Sequence, residues 1–121
     1  MLQNASNSGR LRLVTDEVAS PTLTGDLAAA IVRLIETGAY GTYHLANAGE
    51  CSRMQWAEEV LRLADIEVPI EATTQSEYGS PVHKPKLSTL ANNRAAALGI
   101  ALRPWRDALR EHMREAAEAR A

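Results

Sequence analysis

The chain has 121 residues, a formal net charge of -2 and a single cysteine. This length can bury one modest core but not two, and the small charge gives no electrostatic basis for binding nucleic acid or an anionic membrane. One cysteine cannot form a disulfide within the chain, and the polar start lacks the basic and apolar stretches of a signal peptide, so we expect a cytoplasmic protein.

The first predicted elements are a strand and a polar elbow. Leu11 and Leu13 fall on one face of an extended run, which predicts a short strand. Pro21 keeps Ser20 out of the helical region, so residues 20–22 should form an extended elbow that carries two hydroxyl groups.

A helix is predicted directly after the elbow. Thr24 is placed to cap its first turn, Asp26 adds negative charge where the helix dipole favours it, and Gly38 can end it in a left-handed conformation. The predicted buried face consists of Leu27, Ala28, Ile31, Leu34 and Ile35.

Local signals place the remaining elements. Ser52 with Gln55 is a capping box that should start a helix at Arg53, and Pro69 indicates an edge strand because it cannot donate to a ladder. The other predictions are a strand at 41–46, the edge strand at 67–72, a helical turn at 75–78, an irregular loop at 82–86, a brief strand at 88–90, a short helix ending at Gly99 and a final helix from Pro104. Together they predict a small mixed α/β domain of about four helices and several short strands.

The side chains most often used in catalysis are dispersed. The candidates are His44, His83, His112, Cys51, Asp16 and Glu17. The histidines lack metal-ligand or triad spacing, and the cysteine has no basic neighbour to activate its thiol. The two adjacent carboxylates face opposite sides of an extended chain, which favours solvated loop charges over an acid–base pair. We therefore predict no catalytic and no metal-binding residue.

The sequence also lacks the features of a dinucleotide site. Its seven glycines are scattered, and none has the spacing that lets a backbone loop approach a pyrophosphate. We therefore predict that the chain alone holds no cofactor.

Several short motifs are spread along the chain: SPT at 20–22, GDLA at 25–28, GTYHLA at 41–46, GECS at 49–52, KPKLSTL at 84–90 and LGI at 98–100 before Pro104-Trp105. Together they resemble the carboxy-terminal half of the dTDP-4-dehydrorhamnose reductase family, which belongs to the extended short-chain dehydrogenases/reductases. The resemblance implies that 11–113 is the substrate-binding domain of a Rossmann-type reductase, whose missing amino-terminal half binds NADPH. Residues 1–10 would then be a truncated helix remnant or linker, and 114–121 is expected to be a frayed helix end.

The resemblance also implies where a dTDP-sugar substrate is bound. The predicted substrate-binding residues are Ser20, Pro21, Thr22, Lys84 and Lys86. In the family the elbow lies near the bound sugar nucleotide; the alternative is a turn that only maintains its own geometry. The two lysines lie on a loop stiffened by prolines, which can clamp a diphosphate or can be a plain solvated loop. Family members often have arginine-proline at 84–85 and glutamine-x-glycine at 17–19, and this chain departs from both.

The chain lacks the tyrosine followed four residues later by lysine that supplies the family's acid and orienting base, because Tyr40, Tyr43 and Tyr78 all fail this test. Alone it is therefore predicted to be inactive. Two other interpretations stay open: a non-catalytic binding or regulatory subunit, and part of a related nucleotide-sugar epimerase or dehydratase. In intact relatives the strand at 41–46 would complete the large parallel sheet, so here its unpaired edge favours a homo-oligomer.

Overall fold

The computed structural model describes residues 11–79 and 81–120. In chain order these residues form β1 (Leu11–Val14), β2 (Val18–Ala19), α1 (Thr24–Thr37), β3 (Cys51–Ser52), α2 (Arg53–Leu63), β4 (Ile70–Thr73), α3 (Gln75–Tyr78), α4 (Asn93–Ala97) and α5 (Trp105–Arg120). The predicted mixture of helices and short strands is confirmed. The remnant predicted at 1–10 lies outside the described residues.

These elements belong to two compact units, each built from two separate stretches of the chain. The first unit contains residues 11–19 and 51–88, and the second contains 20–50 and 89–120. The sequence patterns predict one domain over 11–113 and do not reveal this division.

Two small sheets and α2 form the first unit. β1 pairs in parallel with β4, with Leu11 opposite Ile70 and Val14 opposite Thr73, and β2 pairs antiparallel with β3. Leu11 and Leu61 are buried and form the core between the first sheet and α2. The partly buried side chains packed against them are Leu13, Ile66, Val68 and Ile70.

The strand predicted at 67–72 is displaced along the chain. β4 begins at Ile70, and the carbonyl of Pro69 accepts a hydrogen bond from the Leu11 amide at 3.1 Å. Because proline has an acceptor but no N–H to donate, Pro69 can bond to β1 only through its carbonyl, and the regular ladder starts after it.

The predicted helix ends differ in outcome. At α2 the capping box is confirmed, since Ser52 Oγ accepts from the Gln55 amide at 3.1 Å and Gln55 Oε1 accepts from the Ser52 amide at 2.8 Å. At α1 the predicted cap is wrong: Thr24 is already helical, and the N-cap residue is Leu23, whose backbone is extended. Gly38 ends α1 with φ 68°, as predicted.

The core of the second unit lies between α1 and the segment around α4. Ala30, Ala95 and Ile100 are buried there. The partly buried side chains against them are Leu34, Tyr43, Leu45 and Leu102. The buried face predicted for α1 is partly wrong, since Ile31 and Ile35 are 42% and 73% exposed. The helix packs through the side that carries Ala30, and the described residues leave the isoleucine side uncovered.

The strand predicted at 41–46 is wrong for the described part of the chain. The carbonyl of Thr42 accepts a hydrogen bond from the Arg94 guanidinium at 2.8 Å, and that of Ala46 accepts from the Asn92 side-chain amide at 2.9 Å. Side chains thus bond backbone carbonyls that a neighbouring strand would bond in a sheet, and none of the described strands pairs with this segment.

The last helix, α5, begins at Trp105, one residue after the predicted start at Pro104, and continues to Arg120. Its buried residues are Trp105, Ala108 and Leu109. Arg114 pairs with Glu111 one turn before it and with Glu118 one turn after it. Among the residues placed by the structure, no helix combines the length and the apolar character that crossing a membrane requires.

Replacing Ser52 with alanine is expected to lower the free energy of unfolding by about 1 kcal/mol, because it removes the oxygen that caps α2. Thr24→Ala is the matched control, since Thr24 is not an N-cap, and its effect should stay within about 0.5 kcal/mol. Urea denaturation followed by circular dichroism measures both. If Thr24→Ala lowers the free energy of unfolding as much as Ser52→Ala does, this assignment of the N-caps is contradicted.

Candidate functional site

Both hydroxyl groups of the elbow (Ser20–Thr22) are bonded within the second unit. Ser20 Oγ donates to the Gly49 carbonyl at 2.9 Å and accepts from the Leu90 amide at 3.3 Å. Thr22 Oγ1 donates to the Ser20 carbonyl at 3.0 Å and accepts from the Asn47 amide at 3.3 Å. Each hydroxyl therefore has one donated and one accepted hydrogen bond.

This bonding limits what the elbow can offer a ligand. A hydroxyl has one proton and two lone pairs, and both protons are already directed to backbone carbonyls, which can only accept. Each oxygen keeps one lone pair. The elbow hydroxyls therefore suit an O–H or N–H group of a ligand, such as a sugar hydroxyl, and do not suit a phosphate oxygen, which needs donors.

Asn47 holds the elbow from inside the second unit. It is fully buried, at 0% exposure. Besides the hydrogen bond from its backbone amide to Thr22, its Oδ1 accepts from the Leu23 backbone amide at 2.7 Å. Its Nδ2 donates to Asp26 Oδ2 at 2.9 Å and to the Arg103 carbonyl at 3.1 Å. Asn47 is not among the residues predicted from the sequence, where its signal is a polar residue directly after the alternation at 41–46.

Asp26 and Arg103 form a two-bond ion pair behind Asn47. Arg103 Nε lies 2.8 Å from Asp26 Oδ2, and Arg103 Nη2 lies 3.0 Å from Asp26 Oδ1. The hydrogen bond from Arg103 lowers the pKa of Asp26, and the bond from Asn47 lowers it further, while burial opposes both. The same pairing raises the pKa of Arg103. Asp26 thus stays ionised, and its charge also lies in the first turn of α1, where the helix dipole favours it.

Gly49 occupies a position next to the elbow that no other residue fits well. Its φ is 90°, and a Cβ built there would lie 3.2 Å from Trp105 Cδ1. Backbone bonds attach the same stretch to the start of α5: the Ala48 amide donates to the Arg103 carbonyl, and the Trp105 amide donates to the Ala48 carbonyl, each at 3.0 Å. The carbonyl that receives the Ser20 hydroxyl is therefore well fixed.

The lysine pair, Lys84 and Lys86, lies in the first unit on an irregular loop, as predicted, and both residues are exposed. Gln75 Nε2 donates to the Lys84 carbonyl at 2.7 Å and to Glu17 Oε1 at 3.0 Å. The Val18 amide donates to the Lys86 carbonyl at 2.8 Å. The loop backbone is thus held while the two ammonium groups extend into solvent.

The strand predicted at 88–90, after this loop, is wrong within the described residues, where Leu87 makes a single parallel bridge to Val18. That bridge consists of two backbone hydrogen bonds, from the Val18 amide to the Lys86 carbonyl and from the Ser88 amide to the Val18 carbonyl, and no ladder extends from it at 88–90.

The adjacent carboxylates of Asp16 and Glu17 meet at one residue, which corrects the prediction that they face opposite sides. Asp16 Oδ1 accepts from the Gln75 backbone amide at 2.8 Å, and Glu17 Oε1 accepts from Gln75 Nε2, so both hold the start of α3. The three histidines are exposed and Cys51 is buried. In the part of the chain that the structure covers, no group of three or more His, Cys, Asp or Glu side chains is arranged to bind a metal ion.

Comparison with known proteins assigns the chain to a class, the substrate-binding domains. Residues 1–118 match the family model described as RmlD substrate binding domain, and the chain belongs to that family.

The similar proteins are longer polypeptides. The spore coat polysaccharide biosynthesis protein SpsK of Bacillus subtilis (strain 168) is 37% identical, over 98% of this chain and 42% of its own length. A probable dTDP-4,6-dihydroxy-2-methyloxan-3-one 4-ketoreductase of Streptomyces antibioticus is 36% identical, over 92% of this chain and 39% of its own. The crystal structure of dTDP-4-dehydrorhamnose reductase from Bacillus anthracis str. Ames in complex with NADP superposes with a TM-score of 0.87 at 30% identity, over 94% of this chain and 41% of that one. The chain thus spans about two fifths of these relatives.

Asp26→Asn should lower the free energy of unfolding by about 1–3 kcal/mol near neutral pH, because it removes the charge that Arg103 pairs with. Since folding lowers the pKa of Asp26, this stabilisation is present above about pH 4 and is lost as the pH falls through the folded-state pKa. Urea denaturation at several pH values should therefore show that the free energies of unfolding of the wild type and the variant converge in acid.

Asp107→Asn is the control for this experiment. Asp107 pairs with Arg110 at 3.5 Å, and both side chains are more than half exposed, so the change should cost less than about 1 kcal/mol at any pH. If the difference in free energy of unfolding between Asp26→Asn and the wild type stays constant from neutral to acid pH, the role given to the Asp26 charge is contradicted.

Proposed function

We propose that the chain is the substrate-binding part of an NADPH-dependent reductase that acts at C4 of a dTDP-linked 4-keto-6-deoxy sugar, as in the formation of dTDP-L-rhamnose. The observation that carries the proposal is the superposition, over 94% of the chain, on a dTDP-4-dehydrorhamnose reductase that binds NADP. The names of that protein and of the Streptomyces relative both specify a dTDP-sugar. Such a substrate and the single cysteine also support a cytoplasmic location.

The elbow, in the second unit, and the lysine pair, in the first, differ in the groups that each offers a ligand. Ser20, Pro21 and Thr22 present two acceptor oxygens on a rigid turn, which suits sugar hydroxyls. Lys84 and Lys86 present two cations on a backbone held by Gln75, which suits a diphosphate, because little backbone entropy is lost on binding. Each lysine gives a point charge rather than the two-bond geometry of an arginine.

The residues of this chain do not fit the cofactor. The sequence has no glycine-rich loop for a pyrophosphate and no tyrosine with a lysine four residues later. We therefore assign NADPH binding and the proton donor to the remainder of the longer polypeptide that the relatives possess, and the chain alone is expected to be inactive.

The exposed side of α1 is proposed to bind that remainder. It carries Ile31, Val32 and Ile35, at 42%, 56% and 73% exposure. These exposed apolar side chains favour a partner that packs against α1. The same surface is what a non-catalytic binding subunit would need, so activity of the complex distinguishes the two functions.

The lysine pair is tested by the double variant Lys84→Ala with Lys86→Ala. It should bind thymidine diphosphate about tenfold or more weakly than the wild type, because two charged partners of the diphosphate are lost, and isothermal titration calorimetry measures the affinity. Arg53→Ala removes an exposed cation of the same unit and should bind as the wild type does. Equal affinities for all three proteins would assign the lysines to a plain solvated loop.

The docking surface is tested with the part of the Bacillus anthracis reductase that this chain does not match. Mixed with that part, the wild-type chain should form a complex detectable by light scattering, and the complex should oxidise NADPH when a dTDP-4-keto sugar is added. Ile35→Asp should abolish the complex because it places a charge in an apolar contact, whereas Glu36→Ala, an exposed neighbour, should not.

Three results would count against this proposal. Complex formation that is insensitive to Ile35→Asp would remove α1 from the interface, and self-association that Ile35→Asp abolishes would make a second copy the occupant. A complex without activity would favour the non-catalytic subunit.

A further inference from the structure

We propose that Asn47 is a positioning residue for substrate binding. Its buried side chain, held by Asp26 and Arg103, keeps the elbow in the conformation in which both hydroxyls can accept hydrogen bonds from the sugar. We call Asn47, Asp26 and Arg103 the amide clamp. This inference rests on the proposed function, since it assigns a role toward the same ligand.

The clamp acts on the elbow through two hydrogen bonds on consecutive residues. The backbone amide of Asn47 donates to Thr22 Oγ1, and the side-chain oxygen Oδ1 accepts from the Leu23 backbone amide. The first bond supplies Thr22 Oγ1 with its donor, so the hydroxyl proton turns to the Ser20 carbonyl 3.0 Å away. The second holds the residue that joins the elbow to α1. Together they fix the elbow before the ligand arrives, which reduces the entropy lost on binding.

The groups around this position match the acceptor and the two donors of a side-chain amide. Asn47 Oδ1 faces a donor, while Nδ2 faces two acceptors, Asp26 Oδ2 and the Arg103 carbonyl. An ionised carboxyl here would place an oxygen against a carboxylate and a carbonyl at about hydrogen-bond distance, without solvent access. An apolar side chain of the same size would leave the Leu23 amide without its acceptor.

Arg103 bonds to both other members of the clamp. Its guanidinium holds Asp26 through both carboxylate oxygens, and its backbone carbonyl accepts from Asn47. The other charged groups that act on this arginine are Asp107 and Glu111. With Asp26 ionised by the arginine, Nδ2 of Asn47 has a charged acceptor, and such a hydrogen bond is among the stronger kinds.

The test is the affinity of Asn47→Asp for dTDP-glucose, which carries the diphosphate and the sugar hydroxyls, relative to the wild type at each pH. At about pH 8 the variant should bind about tenfold or more weakly, because the introduced carboxylate repels Asp26. At about pH 5 the introduced carboxyl, its pKa raised by that neighbour, should regain a proton and donate to Asp26, and affinity should return to within about threefold of the wild type.

Two further variants separate positioning from simple loss of structure. Asn47→Leu has no group to titrate, so its affinity should be lowered equally at both pH values. Asn93→Asp introduces the same charge at an exposed position on α4 and should bind as the wild type does. The inference is overturned if Asn47→Asp binds normally at about pH 8, or if it is weakened with no recovery in acid.

Failure of the proposed function would look different. If the wild type does not bind dTDP-glucose, both the proposed function and the role of Asn47 in binding the sugar are rejected. The clamp itself is then decided by nuclear magnetic resonance, in which Asn47→Asp should displace the Thr22 and Leu23 amide signals at about pH 8 and restore them at about pH 5. Unchanged signals at the higher pH would overturn the clamp as well.

Discussion

The fully buried amide of Asn47 is the constraint on which the organisation of the second unit depends. The Asn47 backbone amide bonds to Thr22 at the end of the elbow, and its side chain bonds to Leu23, just before α1, and to Arg103, two residues before α5. A buried polar group stabilises a fold only when all its hydrogen bonds are made, and here every partner comes from a distant part of the chain. The conformation of the elbow is therefore a consequence of tertiary packing and not only of Pro21.

The two candidate binding segments are constrained in different ways. In the elbow the hydroxyl side chains already donate and accept hydrogen bonds within the second unit, and each oxygen offers a ligand its one remaining lone pair. In the lysine loop the backbone carbonyls are bonded, to Gln75 and to the Val18 amide, and the charged side chains stay exposed. The elbow thus suits hydroxyl donors of a ligand, and the lysine loop suits anionic acceptors.

Predictions from the sequence succeeded where a structure depends on residues a few positions apart. The capping box at Ser52 and Gln55, the left-handed Gly38 and the helix start after Pro104 are of this kind, because their hydrogen bonds or steric limits are local. The same reasoning failed at Thr24, since the amide before α1 is satisfied by Asn47, 24 positions away from Leu23. It could not identify the clamp, because an asparagine in a loop carries no sign of its distant partners.

The errors at α1 and at 41–46 have a common origin. The spacing of Ile31 and Ile35 is that of a covered helix face, and the alternation at 41–46 is that of a paired strand, yet the described residues neither cover the first nor pair with the second. A sequence pattern reflects burial in the entire molecule in which it is used. Because the chain spans about two fifths of its relatives, these two mismatches, consecutive along the chain, locate the surface on which we infer that further polypeptide packs.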